Sequence, residues 1–193
     1  MNNKGHKFDE TKAKKAVKLL LEAFGEDLNR EGIRRTPERV AGFYKEALSG
    51  NETDPLNIVR VHYTTEDHEE IVLVKDISFY SLCEHHLLPF FGKAHIAYIP
   101  KKDKIVGVSK LIRLVEVFAN RLQLQERLTK QIADTVMKAA MPHGVMVVLE
   151  AEHLCMTMRG VKKPGSQMIT SAMRGAFMND VRTRSEAMAL LRR

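Results

Sequence analysis

The chain has 193 residues, of which 44% are hydrophobic and 28% charged, a composition that is typical of a globular protein and excludes extended disorder. Its 31 Lys and Arg against 24 Asp and Glu give a net charge of +7, which favours an anionic partner such as a phosphate or a nucleotide. Two cysteines are too few for a disulfide-stabilised secreted domain, and no segment is apolar enough for a signal peptide or a membrane span, so we expect a cytoplasmic protein without a membrane partner.

Helical periodicity dominates the first fifty residues. Residues 1–8 are polar and are expected to form a frayed start. An apolar stripe from Ala13 to Phe24 predicts a first helix, and Thr36-Pro37 predicts the start of a second helix that runs to about Ser49-Gly50. The polar, turn-rich residues 50–70 are interpreted as a connector.

After residue 70 the chain alternates between pairs of strands and helices. β-rich stretches predict four strands, and apolar residues at helical spacing predict a helix pair between them and a short helix after them. The predicted elements are strands Ile71–Tyr80 and Gly92–Ile99 with a turn at Lys101–Lys104, helices that begin at Ser109 and Gln125, strands from Val145 to about Arg159 and from Gln167 to Arg174, and a helix Arg184–Leu191.

This α-α-β-β-α-α-β-β-α order predicts an α+β fold. Hairpins that flank a helix pair favour an antiparallel sheet with helices on one face. Such a sheet has open edges, and open edges are often paired between subunits, so we expect an oligomer.

Both cysteines of the chain have histidines beside them. Thiolate and imidazole are the ligands that zinc prefers, so the two segments together predict one zinc site. His153 and Cys155 are two residues apart on a predicted strand and are expected to share its inward face. Spacing does not decide which of the adjacent histidines binds. A structural zinc would use four ligands and a catalytic zinc three, so the surplus of candidates favours a catalytic site, with the spare histidines as proton donors or acceptors. The candidate ligands are Cys83, His85, His86, His153 and Cys155.

Basic residues near two predicted elements are candidates for an anion site. Ser109 fits an N-cap, whose free N–H groups attract phosphate, and Lys110 and Arg113 share one face of the helix that follows. Arg159, with Lys162 and Lys163, forms a second basic cluster. The alternative for each cluster is an ordinary solvated surface. No P-loop motif occurs, and few aromatic residues are present, so we expect no nucleic-acid partner.

Gln125 and Glu126 begin the second helix of the pair. A carboxylate at this position is favourable with the helix dipole, which makes simple capping one interpretation. The other interpretation is that a buried Glu126 accepts two N–H bonds from a guanine-like edge and rejects adenine, which would leave its polar groups unpaired.

Several long motifs, in order along the chain, resemble GTP cyclohydrolase I. The resemblance covers roughly residues 10–190. It is carried by Thr36-Pro37-Glu38-Arg39-Val40, Cys83-Glu84-His85-His86, Gly107-Val108-Ser109-Lys110, Gln125-Glu126-Arg127-Leu128, Glu152-His153-Leu154-Cys155-Met156 and Met158-Arg159-Gly160-Val161.

The resemblance implies a tunnelling fold over residues 56–193, the catalytic domain, preceded by an N-terminal helical extension over residues 1–55. It also implies a ring-shaped homodecamer of two pentamers. Zinc would be bound by the matches to Cys83, His86 and Cys155, with a fourth position left for the water that attacks C8 of GTP. The reaction would release formate and, after rearrangement and ring closure, give 7,8-dihydroneopterin triphosphate, the first step toward folate-type pterins.

The resemblance also implies roles for the remaining site residues. His153 would protonate N7, and His85 would assist ring opening and formate release. Ser109 would lie at the ribose, and Glu126 with Gln125 would anchor the guanine. The triphosphate would be held by Lys110, Arg113 and Arg159, with Arg39 contributed by a neighbouring subunit.

Three other functional interpretations compete with GTP cyclohydrolase I. A nucleoside deaminase would carry Pro-Cys-x-x-Cys, which does not occur here. A different tunnelling-fold enzyme that acts on pterins or queuosine could lack the paired Cys/His set. A zinc-stabilised nucleic-acid binder would show four protein ligands, salt-sensitive binding and no turnover.

Overall fold

The computed structural model describes residues 8–59, 61–63, 68–101 and 104–193. The predicted frayed start therefore lies outside the described residues except for its last residue. Parts of the predicted connector at 50–70 and of the turn at 101–104 also lie outside them. For residues 61–63 the structure describes the backbone only.

The described residues form seven helices and seven strands, together with two short 3-10 turns, Ser49–Glu52 and Pro55–Asn57. The helices are α1 (Glu10–Ala23), α2 (Thr36–Ala47), α3 (Val108–Ala119), α4 (Gln125–Ala140), α5 (Leu154–Thr157), α6 (Ala176–Asn179) and α7 (Val181–Leu191). The strands are β1 (Val61–Tyr63), β2 (Val72–Cys83), β3 (Pro89–Ile99), β4 (Lys104–Val106), β5 (Leu122–Gln123), β6 (Gly144–His153) and β7 (Met168–Gly175).

The main sheet has five strands in the order β5-β2-β3-β6-β7, and β1 pairs with β4 separately. Neighbouring strands of the main sheet are antiparallel, except that β5 runs parallel to the end of β2. The α+β prediction is confirmed, as are the two hairpins β2–β3 and β6–β7. β5 and β7 are the edges of this sheet among the residues that the structure describes.

The two faces of the sheet are covered differently. Alternate residues of β6 point to opposite faces, and one set packs in the main core under α3 and α4. The other set, with Met146 and Val148, packs against Phe177 of α6 and Ala187 of α7. The prediction of helices on one face therefore holds for α3 and α4, but the C-terminal helices cover part of the opposite face. The main core includes Phe79, Phe90, Ile96, Tyr98, Leu111, Leu114, Leu128, Ile132, Val145, Val147 and Leu149.

The N-terminal helices contact the sheet domain through the turn that follows α2. The Gly50 N–H donates to Asn120 O at 3.0 Å, and Arg121 Nε donates to Gly50 O at 3.0 Å. A Cβ added to Gly50 would lie 2.0 Å from Val117 O, so only glycine allows this approach. The division of the chain at residue 55, into an N-terminal helical extension and a catalytic domain, stays a proposal.

Several predicted boundaries were wrong, and the short elements were missed. β6 ends at His153 rather than near Arg159, because Leu154–Thr157 forms one helical turn. α7 begins at Val181, three residues before the predicted start, since the Asp180 side chain accepts from Arg182 N and Thr183 N and caps it. Strands of two or three residues, such as β5, are too short to show a period in the sequence.

Candidate active site

The first Cys/His segment forms a tight turn, the metal turn, over Cys83–Leu88. Cys83 is the last residue of β2 and is buried. Within the turn, the Leu87 N–H donates to Cys83 O at 2.8 Å, and the Cys83 N–H donates to Leu88 O at 2.9 Å. Leu87 has φ 56°, a left-handed conformation that lets the chain reverse within so few residues. The two hydrogen bonds that close the turn therefore fix the backbone positions from which the Cys83 and His86 side chains extend.

The second segment lies beside the first because of strand register. His153 pairs with Phe90 in the β3–β6 ladder, and Phe90 is the second residue of β3, just after the metal turn. The prediction that Cys155 lies on the same strand as His153 was wrong, because Cys155 lies in the helical turn α5. That turn changes the direction of the chain, so the shared strand face does not explain how Cys155 reaches the site.

Cys83, His86 and Cys155 form a group that could hold a metal ion. Their ligand atoms all lie within 4.8 Å of one another, and no other such group of three occurs in the parts of the chain that the structure describes. Ligands at about 2.3 Å around a tetrahedral ion are separated by about 3.8 Å, so an approach of about 1 Å would complete the coordination. Two thiols and an imidazole are also the donor chemistry that zinc selects.

The structure distinguishes the two adjacent histidines. His85 Nδ1 lies 3.9 Å from Cys83 Sγ, yet His85 does not belong to the three-residue group. The two imidazole rings are nearly perpendicular, at 82° with centroids 6.2 Å apart. The choice of His86 as the ligand, which spacing left open, is therefore favoured by the geometry.

Burial and the neighbouring thiol both act on Cys155. They raise the pKa of its thiol, with burial as the larger cause and Cys83 as the next. Two thiols this close resist ionisation together, because the two thiolates would repel each other. A bound cation would remove that repulsion, since metal binding deprotonates thiol ligands.

His153 is held between an aromatic ring and an amide. Its imidazole stacks on Phe90 with centroids 4.5 Å apart and an interplanar angle of 4°. Its Nε2 lies 2.8 Å from Gln125 Oε1. Burial lowers the pKa of His153, and the Glu126 carboxylate acts in the opposite direction. His153 is thus a fixed, half-buried imidazole, two residues before Cys155 in the sequence, that does not belong to the metal-binding group.

The Gln125 side chain is oriented by partners within the protein. It is 1% exposed, and its Nε2 donates to Leu149 O at 3.1 Å, Met168 O at 2.9 Å and Thr170 Oγ1 at 3.1 Å. Because these contacts fix the amide nitrogen, Oε1 must face His153, and His153 Nε2 is then the donor of that hydrogen bond. The side chain of Gln125 orients His153 in this arrangement.

Glu126 lies one residue further along α4 and is exposed. The prediction that this helix starts at Gln125 is confirmed, with Leu124 as its N-cap. The buried carboxylate considered from the sequence is not observed within the single chain. From this position the Glu126 carboxylate opposes the effect of burial on the pKa of His153.

The predicted anion residues are brought together only in part. Arg159 Nη1 lies 3.2 Å from His86 Nε2, so this guanidinium reaches the metal-binding group. Ser109 is not an N-cap, because α3 starts at Val108 and Gly107 occupies the cap position. Lys110 is half-buried, whereas Ser109, Arg113 and Arg39 are exposed. No side-chain hydrogen bond or ion pair joins any of these four to another residue in the described ranges.

Two features of the site escaped sequence reasoning. Phe90, which stacks on His153, was not singled out, because only the β3–β6 register shows that they meet. Glu84 and Arg127 both occur in the motifs quoted above, yet no role followed from the motifs. The structure joins their side chains in a bidentate ion pair that lowers the pKa of Glu84.

Comparisons with known proteins identify one family. A family model described as GTP cyclohydrolase I matches residues 13–192. The chain is 62% identical over 183 residues to GTP cyclohydrolase 1 of Carboxydothermus hydrogenoformans, covering 95% of both chains. It is 60% identical over 185 residues to GTP cyclohydrolase 1 of Pelotomaculum thermopropionicum, covering 96% of this chain and 98% of that one. With GTP cyclohydrolase 1 of Caldanaerobacter subterraneus subsp. tengcongensis it shares 58% identity over 183 residues, 95% of this chain and 97% of that one.

Proposed function

The chain belongs to the GTP cyclohydrolase I family, and from this premise we propose that it hydrolyses GTP at C8 with a zinc ion, releases formate and closes the ring to 7,8-dihydroneopterin triphosphate. Family membership supports GTP cyclohydrolase activity, with GTP as the substrate. The observation that carries the finer proposal is the group formed by Cys83, His86 and Cys155, whose ligand atoms lie within 4.8 Å of one another.

These three side chains would hold the zinc ion. When bound, zinc supplies a Lewis acid that lowers the pKa of water from about 15.7 toward 7. A catalytic zinc site uses three protein ligands and leaves one position for solvent or substrate, which matches the number of residues in the group. The His85 and His153 imidazoles then remain for proton transfer.

His153 is the proposed donor of the proton to N7 of the purine. Its stacking on Phe90 and its bond to Gln125 fix the imidazole in one orientation, which a general acid requires. Burial lowers its pKa and Glu126 opposes that effect, so the negative charge of Glu126 increases the fraction of His153 that carries a proton. His85, exposed at the rim of the metal turn, is proposed to assist ring opening and formate release.

The proposed substrate contacts divide between the two ends of GTP. Glu126 would accept from the guanine edge, and Gln125 would contribute through the free N–H groups of the first turn of α4, since its side chain is engaged with His153. Arg159, already in contact with His86, would bind the triphosphate near the metal. The other proposed contacts are Ser109 at the ribose, and Lys110, Arg113 and Arg39 at the phosphates.

We also propose that the fold is the tunnelling fold and that the chain assembles into a decamer of two pentamers. β5 and β7 present open sheet edges within the chain, which another subunit could pair. α1 buries none of its residues within the chain and exposes Leu19, Leu20 and the neighbouring Phe24, as expected for a helix that packs on another subunit. Arg39 would reach a neighbouring site in such an assembly.

The cytoplasmic location stays a prediction. Among the helices in the described part of the chain, none combines the length and the apolar character required to cross a bilayer.

Incubation with GTP tests the proposed function directly. We expect formate and a fluorescent pterin to accumulate in equal amounts with the zinc-loaded protein. Chelation should stop both products, and added zinc should restore them, because the three ligands cannot activate water without an ion. ATP serves as the control substrate. Formate release that continues in the chelated, metal-free protein would contradict the proposal.

Glu126→Ala is expected to weaken the discrimination between GTP and ATP. A carboxylate that accepts two N–H bonds from guanine is left unpaired by adenine, and its loss removes that penalty. The ratio of kcat/KM for the two nucleotides measures the effect, which we expect to fall by about 10-fold or more. Asp134→Ala, which removes a carboxylate from the middle of the same helix, is the matched control. An unchanged ratio in the Glu126 variant would remove its proposed role.

A further inference from the structure

Glu84 and Arg127 form an ion pair with two separate hydrogen bonds. Arg127 Nη1 donates to Glu84 Oε2 at 2.5 Å, and Nη2 donates to Oε1 at 2.9 Å. This fork-to-fork geometry sets the relative orientation of the two groups as well as their distance. The residues are 43 positions apart in the sequence, so the contact joins distant segments of the chain.

The pair connects the metal turn to the start of α4. Glu84 follows the candidate ligand Cys83, and Arg127 follows Glu126 in the first turn of the helix. The main chain makes a second connection at the same place, because the Glu84 N–H donates to Gln123 O at 3.1 Å and Cys83 pairs with Gln123 across β2 and β5. Side chain and main chain therefore hold the same two segments together.

The first turn of α4 also positions the other half of the site. Its first residue, Gln125, lies 2.8 Å from His153, and its second, Glu126, follows in the same turn. A small rotation of this turn relative to the metal turn would change the separation of His153 and Glu126 from the metal-binding group. Misplacements of about 1 Å are sufficient to cost an enzyme about 100-fold in rate.

We propose that Arg127 is a positioning residue that acts through Glu84: the bidentate pair holds the metal turn in register with the first turn of α4, and so places the metal-binding group against the residues that face GTP. The inference rests on the proposed function. Arg127 needs no contact with GTP or with the metal in this role.

The solvent exposure of both side chains indicates that the Glu84–Arg127 pair contributes more to the geometry of the site than to the stability of the fold. The side chains of Arg127 and Glu84 are 40% and 30% exposed, and ion pairs that are open to solvent contribute little to global stability. A comparable pair, Arg174 with Asp134, also involves α4, with side chains 30% and 46% exposed. This second pair lies at the opposite end of the sheet from the site. Arg174 is paired with Val145 near the start of β6, whereas His153 is the last residue of β6.

The experiment compares Arg127→Gln, Glu84→Gln and the double variant, with Asp134→Asn as the matched control. Zinc affinity is measured by competition with a chromophoric chelator, and kcat and KM are measured with GTP. Folding is measured by thermal unfolding of the metal-free protein, because weaker zinc binding would by itself lower the melting temperature of the loaded protein. We expect each single variant to lower both zinc affinity and kcat by about 10- to 100-fold, with a smaller change in KM and a melting temperature like that of the control. The double variant should lose no more than either single variant, because one pair is broken in all three.

Arg127→Lys keeps the charge without the fork and should retain an intermediate zinc affinity. Unchanged zinc affinity and kcat in Arg127→Gln would overturn the proposal, as would effects that simply multiply in the double variant. A rise in KM alone would identify Arg127 as a substrate contact instead, and a melting temperature that falls with activity would make the pair structural. If the wild-type protein released no formate from GTP, the proposed function would fail, while the zinc affinities would still decide whether Glu84 and Arg127 act as a pair.

Discussion

Replacing Cys83 or Cys155 by Ser will remove the bound metal and abolish GTP turnover. Each cysteine supplies one of the three ligand atoms that lie within 4.8 Å of one another, and an alcohol is a far poorer zinc ligand than a thiolate. With two ligands left, the ion is no longer retained against a chelator. Metal content after dialysis and formate release from GTP measure the two effects.

The adjacent histidines provide the matched comparison for the cysteine variants. His86→Ala should lose the metal as the cysteine variants do, whereas His85→Ala should retain it, because His85 is outside the three-residue group. The chain has only two cysteines, so thiol titration reports directly on the site. Bound metal should protect both thiols in the wild type. Full turnover by a metal-free cysteine variant would exclude the proposed chemistry.

Replacing His153 by Ala will leave the metal in place and slow the reaction by about 10²- to 10⁴-fold, the contribution expected of a positioned general acid. His153 contacts Phe90 and Gln125 and does not belong to the metal-binding group, so the three ligands remain intact. Metal content, the melting temperature and kcat for formate release should be measured on the same preparation.

An exposed histidine elsewhere gives the control for His153. His143 precedes β6 and is exposed; the hydrogen bonds found for it come from its backbone, to Ile99 and from Ala176. His143→Ala should therefore retain both metal and activity. Loss of metal from His153→Ala would reassign His153 as a ligand, and retention of full activity would remove it from the reaction.

Signals that are local in the sequence predicted the larger elements well. The stripe Ala13 to Phe24 and the Thr36-Pro37 start correspond to α1 and α2, and the β-rich stretches correspond to β2, β3, β6 and β7. These predictions work because the period of a helix or strand depends on residues a few positions apart. The same logic failed at Leu154–Thr157, where four residues form a helical turn inside a β-rich stretch.

The candidate site was predicted as a set of residue types rather than as a geometry. The placement of Cys and His in two short segments identified the metal chemistry, but the choice between His85 and His86 followed only from the folded turn. Likewise, the motif that contains Gln125 did not show that its amide is bound to Leu149 O, Met168 O and His153. Ser109 was misassigned as a cap, because Gly107, two residues earlier, is the N-cap of α3 and the helix starts at Val108.

The sequence by itself determined the α+β class, the long elements, the Cys/His chemistry and the family, since these depend on composition, period and motif. Tertiary structure decided which atoms meet: His153 on Phe90, Cys155 beside Cys83, and Arg127 on Glu84. The partners in each of these pairs are separated by 43 to 72 residues, and His153 meets Phe90 because the β3–β6 register sets them opposite each other. Such contacts depend on how the sheet, the turns and the helices pack together, and no pattern of neighbouring residues encodes that packing.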